Sequence, residues 1–135
     1  MSKYIEIAKQ YFNDPTVHYN CAESTAVAFA DAVGVARELV LDIAGNFGGG
    51  MRMASVCGAF SGGLIALGLF GLKSPEITRE YTAKIKAKHD NTVICAEMLA
   101  LSKQRGEEKH DHCQGLVLDC VAAVEEILRA NGKIE

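Results

Sequence analysis

The chemistry-bearing residues of this chain are five cysteines, Cys21, Cys57, Cys95, Cys113 and Cys120. No two stand in a C-x-x-C pair, which removes the thioredoxin-type motif and the usual zinc ribbon. Any four-cysteine site must therefore be assembled from distant parts of the chain. A thiolate is both a nucleophile and a soft-metal ligand. Converging cysteines would thus serve thiol redox chemistry, a metal ion or an iron–sulfur centre. The competing reading is that each is a small buried hydrophobe, as free cysteine often is. Cys120, seven residues beyond Cys113 and on roughly the same helical face, is read as packing.

Other polar groups are weighed beside them. His110, His112 and Cys113 form an H-x-H-C cluster whose donors suit zinc. Its setting among Glu107, Glu108, Lys109 and Asp111 reads first as a solvated polar loop. His18, three residues before Cys21, is a loop histidine that could reach a thiolate, and His89 reads as surface. Arg52 beside the glycine run could face an anion, but reads first as a surface arginine. Gly48-Gly49-Gly50 matches no nucleotide fingerprint, having neither G-x-G-x-x-G after a strand nor G-K-[ST]. It leaves room for a cluster or for close helix approach.

The elements that must position these groups are helical almost throughout. Helix one is expected from Ser2 to Asn13 and helix two from Cys21 to Val33, with Asn20 as N-cap and Gly34 as the residue that ends it. Helix three follows from Ala36 to Phe47, with Leu39, Val40, Ile43 and Phe47 as its apolar stripe. A Gly/Ala-rich helix from about Ser55 to Gly71 should be central, since small residues admit close neighbours. A charged surface helix opens at Ser74-Pro75-Glu76 and runs to Lys88, with Glu80 and Lys84 spaced to pair. A short helix from Val93 to Lys103 and a long one from Asp111 to Ala130 complete the chain. No segment alternates with period two. The fold class is all-α, an irregular bundle of six or seven helices around residues 55–71, in a single helical domain over 1–135.

On this map Cys21, Cys57, Cys95 and Cys113 all fall at or near helix N-termini. There, free N–H groups and the helix dipole lower a thiol pKa and favour an anion. Four such ends facing one point would stabilise a dithiolate, a bound metal or an anionic cluster.

Composition bounds what remains. With 135 residues, 49% hydrophobic and 23% charged, the chain can bury a core without disulfide support. The net charge of −3, with scattered lysines and arginines, speaks against a nucleic-acid partner. The opening Met1-Ser2-Lys3-Tyr4-Ile5-Glu6 carries an acid where an export signal needs apolar residues, which points to the cytoplasm, where thiols stay reduced. Residues 53–72 are uncharged and long enough to span a bilayer, but their glycines and serines favour a buried helix, so no membrane is expected. An exposed face on that helix would favour a homo-oligomer.

Gly48-Gly49-Gly50-Met51 followed by Cys57-Gly58-Ala59-Phe60-Ser61-Gly62 resembles the C_GCAxxG_C_C family of redox-active proteins. Asn20-Cys21-Ala22 is similar to the family's first cysteine segment, Cys57 to its second, Cys95 to its third and Cys113 to its fourth. Cys120 lies outside the pattern. The resemblance implies a small helical protein with four characteristic cysteines, redox-active or carrying a prosthetic group such as an iron–sulfur cluster. Some relatives have export signals; this chain shows none. Cys21, Cys57, Cys95 and Cys113 are accordingly the expected catalytic, cofactor-binding and metal-ligating residues, with His110 and His112 as extra ligands and zinc as the alternative to iron–sulfur. Three functions stand: cluster-based electron transfer or service to a redox enzyme with an unidentified partner protein, a metal-free thiol–disulfide oxidoreductase or sensor, and a non-catalytic helical module.

Overall fold

The computed structural model describes residues 2–135; the first residue of the N-terminal reading, Met1, lies outside them. They form eight α-helices: α1 (Lys3–Phe12), α2 (Cys21–Val27), α3 (Ala30–Val33), α4 (Arg37–Ala44), α5 (Gly58–Leu69), α6 (Pro75–Lys88), α7 (Cys95–Gln104) and α8 (Lys109–Ala130). Among the described residues there is no strand, only an isolated antiparallel bridge between Val56 and Ile94. The all-α expectation holds, with more and shorter helices than anticipated.

Local signals explain most boundaries. Ser2 caps α1 through Ile5 N–H, and Ser74 caps α6 through Ile77 N–H with Pro75 in its first turn. Asn20 and Glu23 form a full capping box at α2, each side chain accepting from the other's backbone N–H. Gly34 adopts φ +78° and ends α3. The expected long second helix is instead two, because the chain breaks at Ala28–Phe29. Phe29 takes φ −108° and ψ 0°, and its fully buried ring stacks on Tyr4 at 4.9 Å. Packing of one large ring overrides an unbroken helical pattern.

The core is built where α5 packs between α2 and α8, with α1 and α6 also packed on α8. Gly58, Ala59, Phe60, Gly62, Gly63, Ala66 and Leu67 of α5 are buried, as a central Gly/Ala helix requires. With only 12 residues it is far too short to cross a bilayer, and no described helix is long and apolar enough to do so. On α8, Leu116, Val117, Val121, Val124, Ile127 and Leu128 are all buried, along with Cys120. The α4 stripe differs from expectation: Val40 and Ala44 face inward, while Leu39 (53%) and Ile43 (46%) stay exposed. Lys84 pairs with Glu126 of α8 at 2.8 Å, tying α6 across the bundle instead of along its own face to Glu80.

Candidate functional site

Cys21, Cys57, Cys95 and Cys113 all line one cavity of about 500 Å³, and Cys120 does not. Three of them sit at helix starts as expected. Cys21 is the first residue of α2, Cys95 the first of α7, and Cys57 the N-cap of α5. Ser55, the expected cap of α5, lies outside that helix. Cys113 departs from the pattern: α8 begins at Lys109, so Cys113 stands in its second turn, and Lys109 and His110 occupy the first.

Two devices bring these distant residues together. The first is the Gly58–Gly62 pair, four residues apart and on one face of α5. A Cβ on Gly58 would stand 2.5 Å from Cys21 Sγ and 2.8 Å from Phe47 O; one on Gly62 would stand 2.6 Å from Ala22 O. The C-G-A-x-x-G run is therefore the surface that lets α2 seat Cys21 against the residue following Cys57. The second device is the short bridge. Cys57 N–H donates to Val93 O at 2.7 Å and Cys95 N–H donates to Ser55 O at 2.6 Å. Cys57 and Cys95 thus lie two residues apart across an antiparallel pair, on the same face and diagonal to each other.

The chain enters this bridge through an unusual backbone. Gly49, Gly50, Met51 and Arg52 have φ of 63°, 65°, 58° and 59°, a left-handed turn closed by Ser55 N–H donating to Gly50 O at 2.9 Å. Glycine carries such dihedrals freely; Met51 and Arg52 carry them at a cost of the order of 1–2 kcal/mol each. Gly50 lies so close to Cys95 that a Cβ there would stand 3.0 Å from Cys95 Cβ. Arg52 is exposed and donates to Gly45 O at 3.2 Å, outside the cavity lining.

Burial governs the thiols. Desolvation pushes Cys57 up to about 12, against the opposing pull of the Phe60 and Ala59 N–H groups at the start of α5; the charges of Cys21 and Cys95 push further upward. Cys113 rises to about 11 and Cys95 also rises, in both cases through desolvation first and through other cavity thiols second, with Lys109 acting in the opposite sense. The sequence argument from helix N-termini anticipated lowered values; loss of water outweighs the dipole here. All five cysteines are free thiols.

Phe12, Met98, Leu99 and Leu116 supply apolar wall, and His18, His110, His112 and Lys109 complete the polar lining. His110 stacks beside Phe12 at 5.1 Å and lies 3.6 Å from Asp111. His112 is largely buried, 3.9 Å from Glu107. His89 is not a simple surface group: its Nε2 lies 2.8 Å from Asp119 Oδ2. Cys120 is wholly enclosed beside Tyr81, whose hydroxyl donates to Phe60 O at 2.9 Å, which fits the packing role assigned from sequence. Among the described residues no three His, Cys, Asp or Glu donors gather around one point as a single metal ion requires. The thiols stand around a space, not at a point. Lys109 was missed as a cavity residue because its acidic neighbours made the segment read as a solvated loop.

The model of the family described as "Putative redox-active protein (C_GCAxxG_C_C)" matches residues 19–127, which include all four cavity cysteines and the glycine contacts between α2 and α5. No curated protein and no solved structure matches the chain.

Proposed function

Because the chain belongs to the redox-active C_GCAxxG_C_C family, we propose that its four cavity thiols hold an iron–sulfur cluster used in electron transfer with a partner redox protein. The observation that carries this reading is the cavity itself: four thiols from four separate chain segments around about 500 Å³. Soft thiolates are the ligands such clusters take. Zinc takes four ligands at about 2.3 Å from one ion, a convergence these donors do not make. Diagonal neighbours across an antiparallel pair, as Cys57 and Cys95 are, stand about 7–8 Å apart. That spacing suits opposite sides of a polynuclear body better than a shared ion.

When bound, the cluster supplies a one-electron couple. The chain's own residues do the rest. Cys21, Cys57, Cys95 and Cys113 are the ligands. Gly58 and Gly62 fix the approach of α2, and the bridge fixes Cys57 against Cys95. Phe12, Met98, Leu99 and Leu116 set hydrocarbon beside the thiols, and burial pushes the Cys57 and Cys113 thiols up. A reducing, cytoplasmic setting accompanies this reading, since free thiols persist there.

Anaerobic purification followed by iron and sulfide analysis and a visible spectrum tests it. A brown protein with iron and inorganic sulfide is expected, lost on Cys113→Ala. Colourless protein free of iron after anaerobic reconstitution overturns it.

One observation favours a second reading. Cys21 Sγ lies against Gly58, the residue after Cys57. Cys21 and Cys57 could therefore close a disulfide, passing two electrons and two protons to a partner's disulfide, which becomes two thiols. Peptide mapping after mild oxidation would find a Cys21–Cys57 link if so, and free thiols at both if not.

A further inference from the structure

We infer that Lys109 is the residue that balances the negative charge a thiolate centre brings into this cavity. The inference rests on the proposed four-thiol centre and adds how its charge is carried. Among the described residues no Asp or Glu lines this cavity, and Lys109 is its single lysine or arginine. That exclusion is selective. The chain has 17 acidic residues against 14 basic ones, and Glu107, Glu108 and Asp111 flank Lys109 directly.

The structure turns those acids elsewhere. Glu107 and Asp111 line the neighbouring cleft with Lys88 and Arg105; Glu107 faces His112, and Asp111 lies beside His110. Glu108 is exposed, and Glu23, the acid nearest Cys21 in sequence, is tied into the α2 capping box. Lys109 has no ion-pair partner among the described residues. As the first residue of α8, exposed at the cavity rim, it stands one turn before Cys113 on the same helix face and shares the cavity lining with Cys95.

The groups facing these two thiols are Cys57 from α5, Cys21 from α2, His18 from the loop before it, and Lys109, His110 and His112 from α8. Thiolates and histidines contribute no fixed positive charge, whereas a lysine ammonium persists across neutral pH.

The test compares alkylation of the reduced, metal-free full chain by iodoacetate, an anion, and by iodoacetamide, which is neutral, with Cys95 and Cys113 followed by peptide mapping. The ratio of the two rates cancels intrinsic thiol reactivity and reports the field at the cavity. Lys109→Gln should lower that ratio about threefold at low salt, the order expected when one nearby charge is removed. Lys109→Arg should retain it, and high salt should bring the wild type down to the Gln variant. Lys133→Gln, the same charge change at a remote exposed position, should leave it unaltered. An unchanged ratio in Lys109→Gln, or an equal fall in Lys133→Gln, overturns the inference. In cluster-loaded protein, Lys109→Gln should also lower the reduction potential relative to Lys109→Arg, and equal potentials would count against it. Because the alkylation ratio needs no cluster, a wild type without iron would sink the proposed centre and leave this result standing, and the converse outcome would separate them equally well.

Discussion

The two ends of α8 treat the same residue type in opposite ways. Its first two turns carry Lys109, His110, His112 and Cys113 to the cavity; its later turns carry Cys120 into hydrocarbon with Val117, Val121 and Val124. Both cysteines have raised pKa values through desolvation. Burial therefore does not distinguish a cavity thiol from a packed one. What distinguishes them is the cavity: Cys113 lines it with three other thiols and a lysine, whereas Cys120 lies behind it, fully buried beside Tyr81 and near Cys57.

The comparison can be broken most forcefully from the hydrocarbon end. Tyr81 is fully buried, stacks on Phe60 at 4.9 Å and donates to its carbonyl. Tyr81→Ala should cost about 3–5 kcal/mol in denaturant unfolding, while the folded fraction retains four alkylatable cavity thiols. A loss of cavity thiol reactivity in protein still folded would show that the two ends are not separable. Gly58→Ala should cost about 1–3 kcal/mol, because its methyl meets Cys21 Sγ and Phe47 O. Unlike Tyr81→Ala, it should also abolish iron loading in the folded protein, measured by iron per folded chain.

A smaller, pH-dependent effect sharpens the contrast. Thiols held neutral in the fold and free to ionise when unfolded stabilise the metal-free protein only below the ordinary thiol pKa. As pH rises above that range toward the folded value of about 12 for Cys57, the unfolded chain gives up protons first and stability falls. Urea midpoints should decline from neutral pH to about pH 10, and Cys57→Ala should flatten that slope. Cys57→Ala leaving the slope intact would assign it to the other raised thiols, Cys95, Cys113 and Cys120. Asn20→Ala should give the least change, about 1 kcal/mol from loss of the α2 cap, with Cys21 still alkylatable at the cavity.

Local chemistry made much of this legible in the sequence. The Asn20 cap, the Ser74-Pro75 start, the left-handed Gly34 and the α8 apolar stripe all act within a few residues, and all stand where expected. The four cavity cysteines were also named, through their positions near helix starts and through the glycine motif. The remainder depended on partners far away in the chain. Nothing near Val56 or Ile94 announces a two-residue bridge, too short for any alternating pattern. The exposure of Leu39 and Ile43 depends on which neighbours α4 meets. Lys109 reaches the cavity rim because α8 starts at Lys109, two residues before the expected Asp111, which brings Lys109 and Cys113 onto one helix face.

The bridge between Ser55–Cys57 and Val93–Cys95 also sets an order of assembly. It joins stretches separated by all of α5 and α6, so loop closure must precede the meeting of Cys57 and Cys95, and Cys113 follows only with α8. During synthesis the ribosome releases Cys21 and Cys57 long before their companions. The nascent chain passes through an interval in which these two thiols are unaccompanied and α5 lacks its α8 cover, so the four cavity cysteines meet only once α8 has emerged.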